Sequence, residues 1–156
     1  MVFTSPSKGR LSFEKMMKDI TEYIKGLPLS SYKIIIGTDS MVRDETCFIT
    51  AVVVHRLGKG ARYYYRKIIQ RKIKSIRQKV FYETALSLEL GGQIAKFFSE
   101  SGFEELQVEI HIDVGLQGET RNLIKEVVGM VTGSGFQAKI KPEAYGASSV
   151  ADKHTK

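Results

Sequence analysis

This chain has one cysteine, no apolar run of membrane length, and no acidic residue anywhere between Thr46 and Tyr82. Each absence excludes something. A lone Cys47 cannot close an intramolecular disulfide and fits a reducing compartment; within TCFITAVVVH it reads as a small core residue. A membrane helix needs ~20 consecutive apolar residues and a secretory leader needs an apolar segment of its own. Neither is legible, so a soluble cytoplasmic protein with no membrane partner is expected. Common nucleotide-binding enzymes are unsupported, since GxxxxGK[ST] and GxGxxG are both missing. Without CxxC or HExxH a zinc site is disfavoured, and no serine sits in GxSxG.

The acid-free stretch is full of cations: Arg56, Lys59, Arg62, Arg66, Lys67, Arg71, Lys72, Lys74, Arg77 and Lys79. With a net charge of +7, segregation of this kind points to a polyanion partner held by phosphate contacts. The eight from Arg62 to Lys79 are the candidate nucleic-acid contacts. Tyr63, Tyr64 and Tyr65 stand among them; such aromatics stack on bases in some proteins and are half core in others.

At 156 residues the chain is expected to be one domain, with an amino-terminal arm and helix over residues 1–30 packed on residues 31–156. MVFTSPSKGR reads as an irregular arm. Phe13, Met16, Met17, Ile20, Tyr23 and Ile24 then follow helical spacing behind Ser12, ended by Gly26 and Pro28. Tyr32 to Thr38 is a continuous apolar strand, followed by strands over Cys47–His55 and Arg62–Ile69. Short links make these three an antiparallel meander. A helix from Val80 to Ser99 presents Phe81, Ala85, Leu88, Ala95 and Phe98, and Gly91 and Gly92 interrupt it, marking either a close-packed element or a bend. Leu106 to Asp113 alternates with period two, a helix covers Thr120–Val131, and Phe136–Ile140 is a fifth strand. A short last helix from Glu143 to about Asp152 follows Pro142. Strands four and five arrive by helical crossovers and therefore run parallel to strand one.

Two of these strands end on an aspartate, Asp39 in IIIGTDS and Asp113 in EIHIDVG. Side by side and parallel, they bring two carboxylates to one sheet edge at roughly 5 Å, unfavourable unless a cation or a proton intervenes. Glu83 opens the helix after the meander, and Asp152 on the last helix closes the set. Four carboxylates suit two divalent ions, Mg²⁺ or Mn²⁺, that take substrate phosphate oxygens. Each acid also has a plainer reading: Asp39 and Asp113 as turn residues, Glu83 as a helix-start acid, Asp152 as surface filler. His154 fits a ligand, a proton shuttle or an exposed residue, and His111 shares a strand face with Asp113.

The motifs IGTDS, VVVHRLGKGARYYY, YETALSLE, EIHIDVG and GSGFQAKIKPEAYGASSVADKHTK, with the early SPSKG, resemble the YkuK-type ribonuclease H-like family across nearly the whole chain. The resemblance implies an α/β fold: a mixed five-stranded sheet in order 3-2-1-4-5, strand two antiparallel, with flanking helices and an extra amino-terminal helix. It also carries the family's metal-binding acids onto Asp39, Glu83, Asp113 and Asp152. Ser40 and Met41 follow Asp39, so the DxE pair of the proofreading-exonuclease branch is missing and the nuclease and resolvase branches are favoured. A resolvase-like variant would use Asp152 with His154. The expected function is therefore metal-dependent phosphodiester cleavage of DNA or RNA; a non-catalytic nucleic-acid-binding module is the alternative, and a nucleotide-handling role ranks last. Monomer and homodimer are both compatible with the sequence.

Overall fold

The computed structural model describes every residue except 104, 105, 145, 146, 148, 149, 151–153 and 156. Its frame is one seven-stranded sheet in order β2-β1-β5-β4-β3-β6-β7. The meander is β3 (Tyr32–Val42), β4 (Glu45–Arg56) and β5 (Ala61–Arg71), antiparallel throughout. On the other side of β3 run β6 (Gln107–His111) and β7 (Gln137–Lys139), both parallel to it. This is the expected 3-2-1-4-5 core, because short turns force antiparallel neighbours and helical crossovers force parallel ones.

Two further strands correct the reading of the amino terminus. β1 (Val2–Ser5) and β2 (Gly9–Ser12) form a hairpin where an irregular arm was expected, and Thr4 bridges to Tyr65 on the edge of β5. The turn in SPSKG closes when the Ser5 hydroxyl accepts the Lys8 amide at 3.2 Å, while Phe3 is wholly buried and anchors the strand. Four residues are too few for a period-two pattern to show, which is why composition misled.

Three helices cover one face. α1 (Phe13–Gly26) starts where Ser12 accepts the Lys15 amide, and it buries Met16, Met17, Ile20 and Ile24. α2 (Ile76–Glu100) is capped likewise by Ser75. The crossover expected as one helix is a 3₁₀ turn (Glu119–Leu123) followed by α3 (Ile124–Gly133). They pack on Ile34, Ile36, Val52, Val54 and Ile110 to form the main core. The opposite face is smaller: Ile35, Ile49, Ala51 and Val53, covered by Ala147 of the last segment. Of that segment, Ala147, Val150, His154 and Thr155 are helical and described. Gly37 makes the approach possible, since a Cβ there would lie 2.9 Å from the Ala147 Cβ.

The phase of α2 is a second correction. Ala85 is exposed, and the buried row is Val80, Glu83, Thr84, Ser87, Leu90, Gly91, Ile94 and Phe98. Its amino-terminal half opposes hydroxyl-bearing positions of β3 and β4, so polar residues face inward there. Of the two readings of the glycine pair, close packing holds at Gly91, where an added Cβ would meet Ile110 Cδ1 at 3.2 Å.

Candidate metal and phosphodiester site

The site arises from a mismatch in strand length. β6 pairs with β3 only as far as His111 opposite Gly37, whereas β3 continues to Val42, three residues beyond its expected end at Asp39 by way of Ser40 and Met41. Beyond Gly37, β3 therefore has β4 on one side and a notch on the other. Asp39 is mid-strand rather than terminal, opposite Ile49 and so on the smaller-core face. Thr38 and Ser40 point the other way, toward α2. Thr38 Oγ1 lies 2.9 Å from Thr50 Oγ1 and 2.7 Å from Ser87 Oγ, and the Ser40 hydroxyl donates to the Glu83 carboxyl. That ladder of hydroxyls is why α2 turns a polar row inward.

Glu83 is 6 % exposed. Burial pushes its pKa up to about 8, with Asp39 and Asp113 adding to the rise and Ser40 and Lys79 opposing it. The field that Glu83 feels thus comes from both aspartates. Asp113 follows β6 between the buried Ile112 and Val114, and its Oδ1 lies 2.6 Å from the Lys141 ammonium. Lys141 is held protonated above its usual range, first by Asp113 and then by the charges of Asp39 and Glu83. Asp39, Glu83, Asp113 and Lys141 consequently share one electrostatic neighbourhood. The fourth expected acid, Asp152, lies outside the described residues.

By chemistry the donor set fits a divalent cation: hard oxygen donors, one of them a buried carboxyl whose raised pKa a positive ion would relieve. By position it is not assembled, for among the described residues no three His, Cys, Asp or Glu side chains stand ready to hold a metal ion.

The histidines have other company. His154 stacks on Tyr65 with ring centroids 3.8 Å apart, and its Nε2 is 3.4 Å from the Tyr63 hydroxyl. Those two tyrosines are half-covered, and Tyr64 is core, donating to Asp19 of α1. His111 is buried with Nε2 3.2 Å from Glu109 Oε1, a carboxylate partner that selects the tautomer protonated on Nε2.

The eight basic candidates separate into groups. Arg62 pairs with Asp19 at 3.3 Å and lies over the Tyr23 ring, and Arg77 pairs with Glu126 at 2.7 Å. Arg66, half-buried, stands opposite Thr50 on the helical side. Lys67 is exposed opposite Ile49, on the face of Asp39; Arg71, Lys72 and Lys74 are exposed further along. Lys79 lies one helical turn before Glu83 and close enough to oppose its rise. Ser40 and Lys141 were missed by sequence reading. The rule that drew attention to Asp39 and Asp113, chemistry at the carboxyl ends of parallel strands, also reaches Lys141 once applied to β7.

A family model described as Ribonuclease H-like matches residues 15–156. The chain is 38 % identical over 169 aligned positions to a protein of Bacillus subtilis (strain 168) named "Uncharacterized protein YkuK", the alignment covering 99 % of this chain and 97 % of that one. No solved structure matches. No helix among the described residues is long and apolar enough to cross a membrane.

Proposed function

Because this chain belongs to the ribonuclease H-like family, we propose that it hydrolyses phosphodiester bonds of nucleic acid at the notch beyond β6. The observation that carries this reading is Glu83, a buried carboxyl raised to about 8 in the field of Asp39 and Asp113 at the end of a parallel strand pair. Asp39, Glu83, Asp113 and Asp152 would hold Mg²⁺ or Mn²⁺, two ions in the full site. Bound there, the metal supplies an activated water and stabilisation of the leaving oxygen.

The rest is the work of the chain itself. Ser40 orients Glu83 by donating to it from the neighbouring strand. Lys79, one turn away, and Lys67, on the face of Asp39, are the cations best placed to meet phosphates entering the notch. Lys72 and Lys74 extend that charge along the connection before α2. Arg62 and Arg77, engaged by Asp19 and Glu126, contribute less.

The test is a cleavage panel of single-stranded DNA and RNA, duplexes, an RNA–DNA hybrid and a four-way junction, each with Mg²⁺ or Mn²⁺. Asp39→Asn, purified identically, is expected to abolish product while leaving the melting curve in place. Cleavage by the mutant at the wild-type rate would overturn the assignment.

The Lys141–Asp113 ion pair favours a second reading, in which the notch is internally neutralised and the protein binds nucleic acid without turnover. That reading expects salt-dependent affinity weakened by Lys72→Ala, unchanged by Asp113→Asn, and no product from any substrate.

A further inference from the structure

Lys141 is placed with more care than a chance surface lysine. Its backbone amide donates to the Val114 carbonyl at 2.9 Å, and Ile112 donates to Lys139 at 2.9 Å, so the parallel register of β6 and β7 persists past both strands. That register sets Lys141 beside the Asp113–Val114–Gly115 turn. Gly115 then makes room for its stem: a Cβ on residue 115 would lie 3.2 Å from the Lys141 Cβ and 3.6 Å from its Cδ. The glycine of EIHIDVG and the lysine of AKIKPEAYG, far apart in sequence, form one fitted pair. Although 56 % of its side chain is exposed, Lys141 holds its ammonium 2.6 Å from Asp113 Oδ1 rather than in water.

We propose that Lys141 is a built-in counter-cation, a positioning residue that occupies Asp113 and competes with a divalent ion for it. This rests on the reading of the notch as a metal site. The charges require some such group. Asp39, Glu83 and Asp113 lie in one another's field, and carboxylates so gathered repel unless a positive charge stands among them. A single ammonium neutralises part of that repulsion and keeps the acids from splaying before metal arrives. It also takes one oxygen of Asp113, which accounts for a donor set that is right in chemistry yet not assembled for an ion. Metal entry then proceeds by exchange: Lys141 leaves Asp113 for water or phosphate, and the ion takes its place. Ordinary exposed ion pairs are weak, so the exchange is open to an ion at accessible concentration.

The experiment is calorimetric titration of the chelator-stripped protein with Mn²⁺ alone, comparing wild type with Lys141→Met and Lys141→Arg. Removing a unit charge next to the site should tighten Mn²⁺ on the order of tenfold in Lys141→Met. Lys141→Arg, which keeps the charge, should remain near wild type. A gain of affinity cannot come from structural damage, which loosens a site. Should Lys141→Met fail to fold, Gly115→Ala displaces the same stem by crowding its Cβ and should shift affinity in the same direction by less. Unchanged or weaker Mn²⁺ binding in the variant overturns the proposal, as does absence of Mn²⁺ binding in both proteins. A wild type that takes up no Mn²⁺ beside a variant that does supports it. No cleavage on any substrate with the tenfold shift intact would end the nuclease reading and leave this one standing.

Discussion

Glu83 and Glu109 are both almost fully buried against the same sheet, 6 % and 3 % exposed, and their environments drive them in opposite directions. Burial alone would raise both. At Glu109 it is overcome: Lys33 donates at 2.9 Å and His111 at 3.2 Å, and the carboxyl is held below its usual range. At Glu83 it is reinforced by Asp39 and Asp113, and Ser40 with Lys79 offsets only part of the rise. The two sites differ in their neighbours as well as in how deeply the carboxyl is desolvated, which is greater at Glu83. Glu109 sits opposite Ile35, inside the paired part of β6, where the strand register supplies a lysine. Glu83 faces the unpaired end of β3, where carboxyls collect. A buried acid with opposite-charge company is structural, and one with like-charge company marks a place for a cation or a proton.

The largest expected effect breaks the Glu109 side of this contrast. Lys33→Met leaves Glu109 buried beside a histidine that burial keeps largely neutral, and should cost about 3 kcal/mol in urea unfolding at pH 7. A loss too small to measure would erase the distinction between the two glutamates.

The next effect has the opposite sign. With its folded pKa raised from 4.5 to about 8, Glu83 binds a proton in the folded state that the unfolded chain releases. Its contribution to stability is therefore fully present below about pH 4.5 and is lost progressively as pH rises toward 8. In chelator, Glu83→Gln should remove that decline and stabilise the protein at pH 8 by on the order of 2 kcal/mol. Urea midpoints measured from pH 5 to 8.5 check this; a wild type and mutant that fall in parallel would show that Glu83 titrates normally. The smallest effect sharpens the comparison from outside. Arg77→Ala breaks the exposed pair with Glu126, and its thermal midpoint should coincide with wild type, since charges in water gain little from pairing. A clear drop would mean that exposure, too, is a poor guide to what an ion pair contributes.

Much of the architecture could be read directly from neighbouring residues. Ser12 before the apolar stripe of α1, the glycines of LGKGA between β4 and β5, and the alternation around Ile110 all act over a few positions. Such signals survive in a linear string because the physics behind them is local. The hairpin of residues 2–12 was not legible, because its stability comes from Phe3 entering a core built by distant segments. Nor was the phase of α2, because an inward row of Glu83, Thr84 and Ser87 looks like a solvated face until Thr38, Thr50 and Ser40 are placed opposite it.

The same division runs through the site. By itself the sequence determined the strand directions and which acids lie near the ends of parallel strands, since turn lengths and crossovers dictate the directions, while the order of the five core strands was what the family resemblance implied. Only the tertiary structure decided that β3 outruns β6, that Asp39, Glu83 and Asp113 share one field, and that Lys141, two residues past β7, stands on Asp113. A charge's energy depends on every neighbour within several ångströms, and which residues become neighbours across a sheet is settled by register and packing.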